Sequence, residues 1–231
     1  MSSLSGEREF RINIAIDGPA GAGKSTVARQ VAAKLSYVYV DTGAMYRAVT
    51  WDMLNQDIDA SDEASVLERM NHLNIELVPG EEGQQVWLSG QDVTDHIRSL
   101  AVNRNVSHYA KIEGLRLKLA AVQRQLALRK GVVMDGRDIG TTVLPDAEVK
   151  IFMTATVRER AERRFRELPD SEETITLEQL ENEISQRDEL DRNREVSPLV
   201  CADDATVLDT TEMTIDEVVD AIVRQAHLQW V

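Results

Sequence analysis

Cysteine occurs once in 231 residues, at Cys201. An internal disulfide is therefore excluded, and a lone thiol fits a reducing compartment. Beside Val200 and Ala202, Cys201 reads as a small packing residue. Long apolar runs are missing too. No stretch reaches the roughly 18 residues that a membrane helix needs. Met1 to Arg11 has no apolar core of signal-peptide type, so residues 1–11 read as a flexible tail and the location as cytoplasmic. Basic charge is scarce, with 26 Lys and Arg against 40 Asp and Glu and a net charge of −14. That balance disfavours a general nucleic-acid or membrane-surface binder and is compatible with a monomer. His72, His96, His108 and His227 form no metal-spaced cluster, and no Ser-His-Asp arrangement is readable. There is no internal repeat or low-complexity tract.

What is present begins with Gly18-Pro19-Ala20-Gly21-Ala22-Gly23-Lys24-Ser25. It fits the P-loop pattern Gly-x-x-x-x-Gly-Lys-Ser/Thr at every fixed position. Ile12 to Ile16 is a short apolar run before it and reads as a buried strand. Val27, Val31 and Leu35 recur at four-residue spacing after it and read as the buried face of a helix. Glycines let such a loop approach phosphate oxygens, and the helix N-terminus favours an anion. Lys24 would reach the β- and γ-phosphates of a nucleotide, and the Ser25 hydroxyl would hold Mg²⁺.

The remaining pattern predicts a single α/β domain over residues 12–231. Tyr37 to Val40, Val132 to Met134, Val149 to Met153 and Thr206 to Leu208 read as further parallel strands. Leu115, Leu119, Val122 and Leu126 follow a helical period. Thr176 to Gln179 and Thr214 to Glu217 both fit a capping box. Two segments depart from the alternation. Ile75 to Val93, with a turn at Pro79 to Gly83, predicts a small antiparallel insertion. Arg158 to Arg194, rich in charge, predicts a mobile helical arm with a loop around Pro169-Asp170-Ser171. Ligands of such a sheet gather at the carboxyl ends of its strands.

Two strand ends carry further chemistry. Asp41-Thr42-Gly43-Ala44-Met45-Tyr46-Arg47 offers a hydroxyl and a guanidinium for a second phosphate, or a capped helix with Arg47 in solvent. In Asp135-Gly136-Arg137-Asp138, Asp135 can orient Mg²⁺ directly or through water, Arg137 can face phosphate, and Asp138 can accept from an amino group. The competing reading is a tight turn with Arg137 and Asp138 paired to each other. Arg158, Arg160, Arg163, Arg164 and Arg166 lie on one helical stretch, and Arg187, Asp188, Asp191, Arg192 and Arg194 on another. Most read as solvated, ion-paired faces. A subset can close over phosphates as a lid.

With Ile16-Asp17 before the loop and Arg187 to Arg194 after these motifs, the chain resembles the bacterial cytidylate (CMP/dCMP) kinase family of nucleoside monophosphate kinases. The likeness runs from about Ile12 to Ala226. It implies a P-loop kinase: a parallel sheet flanked by helices, a small antiparallel insertion and a helical lid. By position, the monophosphate-binding part spans about 45–106, the small sheet 75–93 and the lid 158–194. The resemblance makes ATP and CMP or dCMP the substrates, with Mg²⁺ as cofactor. It extends the ATP-binding set to Thr26, and assigns Lys24, Arg137 and Arg194 to catalysis. It implies that Arg47, Arg137 and Arg194 hold the CMP phosphate and that Ser107, Arg116 and Asp138 read cytosine. Arg187 and Asp191 would contact the sugar, and Thr42 would lie near the nucleotide. Physically, Asp138 can accept from the cytosine N4 amino group while Arg116 donates to N3 or O2. The alternatives are another P-loop small-molecule kinase, a GTPase-type switch or sensor, and a pseudo-kinase. The absence of an Asn/Thr-Lys-x-Asp guanine-reading stretch disfavours the switch. Intact Lys24, Ser25 and Arg137 disfavour the pseudo-kinase.

Overall fold

The computed structural model describes residues 11–80, 83–167 and 175–229. Most of the expected tail and the expected loop at Pro169 to Ser171 lie outside those residues. Five strands make one parallel sheet: β1 (Asn13–Asp17), β2 (Val38–Asp41), β6 (Val132–Gly136), β7 (Val149–Thr154) and β8 (Thr206–Asp209), in the order β2-β6-β1-β7-β8. Helices α1 (Lys24–Leu35), α2 (Thr42–Asn55), α5 (Glu113–Ala127) and α8 (Ile215–Leu228) connect or follow these strands.

Alternation along β1 separates the two faces of this sheet. Ile14 and Ile16 pack with α1 and α8, in a core shared with Val31, Ile151 and Ile222. Ala15 points the other way, into a core with Met134, Ala120 and Ile139. Burial on both faces is why the parallel strands read as continuous apolar runs. In α5 the buried face follows Leu115 and Leu119 and continues through Gln123 and Ala127. Val122 and Leu126, expected on that face by period alone, are exposed.

The insertion is antiparallel, with β3 (Ile75–Gly80), β4 (Gly83–Leu88) and a short β5 (Gln91–Asp92). Helix α2 bridges the two sheets. Its Ala44 and Ala48 pack on Val86, Leu88 and Ile97. Its Met45, Val49 and Met53 pack on α3 (Glu63–Met70), α4 (Leu100–Tyr109) and α5. The side-chain amide of Gln84 on β4 donates to Tyr39 O at 2.6 Å and accepts from Asp41 N at 3.0 Å. The charged arm forms α6 (Val157–Arg166) and α7 (Leu177–Asn193), which share a small core of Ala161, Leu180 and Ile184. Both expected capping boxes are present, at Thr176 with Gln179 and at Thr214 with Glu217.

Candidate active site

Register brings three carboxylates to the carboxyl ends of neighbouring strands. Asp41 pairs with Asp135, and Asp17 sits opposite Gly136. The loop after β1 turns on residues that need glycine. Gly18 has φ +149°, and a Cβ there would lie 2.0 Å from Met153 O. Gly21 has φ +75° and packs directly on Arg160. Gly23, in the left-handed region, leads into α1.

Lys24 is buried, and its Nζ donates to Pro19 O of the same loop at 2.7 Å. Burial, then the nearby charge of Arg137, pulls its pKa well below the ordinary lysine value. Phosphate oxygens beside it would oppose both effects. Ser25 Oγ donates to Asp135 Oδ2 at 2.8 Å, and Tyr39 OH donates to Asp135 Oδ1 at 3.0 Å. Burial, with the Asp41 carboxylate next, raises Asp135 to about 6. Hydroxyl and carboxylate oxygens at the start of the P-loop helix are the donor types that a hard divalent cation takes.

Asp41 caps α2 by accepting from Ala44 N at 2.7 Å and also accepts from Arg47 Nη2 at 2.9 Å. Arg47 is therefore ion-paired and half-buried rather than in free solvent. Thr42 Oγ1 donates to Asp135 O at 2.6 Å. Arg137 and Asp138 do not pair with each other. Arg137 Nε donates to Asp191 Oδ2 at 2.8 Å on α7, and Arg116 Nη2 donates to Asp138 Oδ2 at 2.6 Å. Arg116 also donates to Ala110 O at 3.0 Å and lies 5.3 Å from the Tyr46 ring centre. Arg194, at the end of α7, lies 3.8 Å from Asp138 and 3.9 Å from Asp191. Burial would raise Asp191, but Arg137, Arg187 and Arg194 together hold it below its ordinary value.

Four arginines of this cluster keep buried nitrogens without a hydrogen-bond partner among the described residues: Arg47 Nε, Arg116 Nε, Arg187 Nε and Arg194 Nη2. Burial, then repulsion from Arg137, lowers Arg187 to about 10. Arg187 lies among the charges of Arg137 and Asp191, and Ser107 is buried on α4. Excess positive charge with unspent donors is the chemistry of an anion site.

Several residues were given no role by the sequence. Asp17 is buried and accepts from Ile139 N at 2.8 Å and Gly140 N at 2.7 Å. It thereby ties the end of β1 to the wide helical turn Ile139–Val143 that follows Asp138. Burial raises Asp17 to about 6 against the pull of those two N–H groups. Its place in the matched motif was visible, but the partner was not. Tyr39 lies in an apolar run that carries no signal of its bond to Asp135. Arg160, on a helix face where most arginines were expected to be solvated, is buried, and each of its three guanidinium nitrogens has a protein partner. Cys201, expected to pack, is exposed. Arg158 and Arg166 are exposed and ion-paired, as mixed charge predicts.

A parallel sheet with a P-loop after its first strand, facing a second cationic site at neighbouring strand ends, defines a P-loop kinase. A family model described as cytidylate kinase matches residues 14–228. Cytidylate kinases of Bacillus thuringiensis (strain Al Hakam) and Bacillus anthracis (strain A0248) are each 57% identical over 212 residues, covering 92% of this chain and 94% of theirs. The chain belongs to the cytidylate kinase family, whose members are ATP-dependent nucleoside monophosphate kinases. A crystal structure of an uncharacterized protein from Eubacterium ventriosum shares the fold, with TM-score 0.51, 12% identity, and coverage of 93% of this chain and 97% of that one. No helix among the described residues is long and apolar enough to cross a membrane.

Proposed function

We propose that this chain transfers the γ-phosphoryl group of ATP to CMP or dCMP, giving ADP and CDP or dCDP. The observation that carries the reading is the set of buried arginines with unspent donors, of which Arg187, together with Arg137, lies near Lys24 of the P-loop. One site would hold the donor polyphosphate on the loop from Gly18 to Thr26. The other would hold the acceptor phosphate between Arg47, Arg137 and Arg194.

The acceptor oxygen is already anionic, so no strong base is required. It attacks the γ-phosphorus in line, the bond to the ADP oxygen breaks, and no covalent enzyme intermediate forms. Lys24, Arg137 and Arg194 supply fixed positive charge where negative charge spreads in the transition state. Ser25 and Asp135 are the residues that would hold Mg²⁺, directly or through water. The ion, when bound, neutralises phosphate charge. The α6 and α7 arm would act as a lid that excludes water, with residues 45–106 as the monophosphate-binding part.

Cytosine reading follows from the Arg116–Asp138 pair, which presents one donor and one acceptor from buried side chains. Ser107 would lie against the same base, with Arg187 and Asp191 at the sugar. Uracil would place O4 against a carboxylate and leave polar groups unpaired. We also place the enzyme in the cytoplasm as a monomer acting on free nucleotides. The net charge of −14 supports small anions at a local cationic site rather than a polyanionic partner.

An ADP-release assay across CMP, dCMP, UMP, AMP, GMP and shikimate tests the reaction. CMP or dCMP should be fastest. A faster rate with any other acceptor overturns the reading. Light scattering during gel filtration tests the monomer.

A further inference from the structure

We propose that Arg160 is a positioning residue that joins the donor loop to the acceptor-side helix, so that each nucleotide site senses occupation of the other. The inference rests on the two-nucleotide reading above. It concerns a residue that touches neither nucleotide site's cationic cluster with a free donor.

Arg160 lies on α6 and is 2% exposed. Its Nη1 donates to Ala20 O of the P-loop at 2.9 Å, and its Nε donates to Ala155 O, before α6, at 3.0 Å. Its Nη2 pairs with Asp188 Oδ2 on α7 at 2.7 Å, with both side chains almost fully buried. All three kinds of guanidinium nitrogen are therefore engaged within the protein. That arrangement differs from an arginine held ready for phosphate. The contact is also close in the backbone. A Cβ on Gly21 would lie 3.2 Å from Arg160 Cβ and 3.3 Å from Arg160 O.

Asp188 immediately follows Arg187 and lies less than one helical turn before Asp191, the partner of Arg137. A rotation of α7 that adjusts Arg187 and Asp191 around an acceptor must also move Asp188. The rigid fork of Arg160 transmits that movement to the carbonyl of Ala20. A planar guanidinium holds its donors in one rigid fork, whereas an ammonium is a compact charge with rotatable donors on a flexible stem. Breaking a buried pair leaves an uncompensated charge, so movement of the two helices together is favoured over separation. Among the described residues Asp188 Oδ1 has no hydrogen-bond partner, which leaves the pair one-sided.

The test is calorimetric binding of CMP to the full chain, with and without a saturating non-hydrolysable ATP analogue and Mg²⁺. In the unmodified protein, the analogue should tighten CMP binding by about fivefold or more. Arg160→Lys can keep the charge pair but loses the fork. Its CMP affinity without the analogue should stay within about threefold, while the tightening should fall below about twofold. A variant that is merely less stable would lose melting temperature and keep the tightening. Asp188→Asn keeps the side-chain volume and serves as the second variant if Arg160→Lys does not fold. It too should lose the tightening. Unchanged tightening in a folded variant, or none in the unmodified protein, overturns the proposal. Failure of CMP to bind the unmodified protein at all would overturn the functional reading instead.

Discussion

Ser25 Oγ and Asp135 Oδ2 meet at 2.8 Å across 110 residues of sequence, which joins the first turn of α1 to the end of β6. The P-loop and the Asp-Gly-Arg-Asp segment are thus joined by a side-chain hydrogen bond. Ser25→Ala should raise the Mg²⁺ concentration for half-maximal rate by about tenfold or more. A magnesium titration of turnover checks it, and an unchanged midpoint would remove Ser25 from the cation site. Chelation with EDTA should stop turnover, and excess Mg²⁺ should restore it.

Lys24→Ala should lower turnover by about 10²–10³-fold, the scale for one preorganised charge in the transition state. Circular dichroism confirms the fold alongside the rate. Near-normal turnover by a folded variant would exclude Lys24 from the chemistry.

Asp138→Asn replaces one acceptor with a side chain that can donate to uracil O4. The ratio of kcat/KM for CMP over UMP should fall by about tenfold, within the ~1–3 kcal/mol of one base contact. Paired kinetics with CMP and UMP measure this. A constant ratio would take Asp138 out of base reading. Stability should also fall, because buried Arg116 loses its ionised partner.

Asp17 has a folded pKa of about 6, above its ordinary value of 3.8. Between those pH values the folded state binds more protons than the unfolded one, so this group lowers stability as pH rises. Below the unfolded value both states are protonated, so the contribution is fully present and no longer changes with pH. Asp17→Asn cannot titrate. Its deficit against the unmodified protein should be large at pH 4 and smaller by about 2 kcal/mol at pH 6. Urea unfolding at the two pH values measures the difference. A deficit that grows with pH contradicts the assignment.

Gly18→Ala should destabilise the fold by at least about 3 kcal/mol. The added Cβ meets the Met153 carbonyl at 2.0 Å, and that backbone cannot retreat without disturbing β7. The urea midpoint reports it. A shift near zero would mean that the loop relaxes freely.

Most of the fold was legible because both faces of the sheet are covered. Each parallel strand appears as an apolar run, and the P-loop, the small sheet and the capping boxes carry local signals. Side-chain partners across the sheet were not legible in the same way. Nothing near Arg137 in the chain announces Asp191, which reaches it from α7. Arg160 was not distinguishable, because mixed charge on a helix usually means a solvated face, whereas here Asp188 and two carbonyls cover it. Cys201 was misread from its apolar neighbours, but Val200 is itself exposed. Val122 and Leu126 fit the period of α5, but the packed face has drifted to Gln123 and Ala127.

Gln84 has a consequence outside catalysis. Strand β2 is the outermost strand of the parallel sheet, and an open strand rim can template pairing with another chain. The Gln84 amide satisfies one carbonyl and one N–H of that rim, as a peptide unit of an adjoining strand would. The inserted sheet therefore covers the rim at Tyr39 and Asp41, which would otherwise be open to a foreign strand.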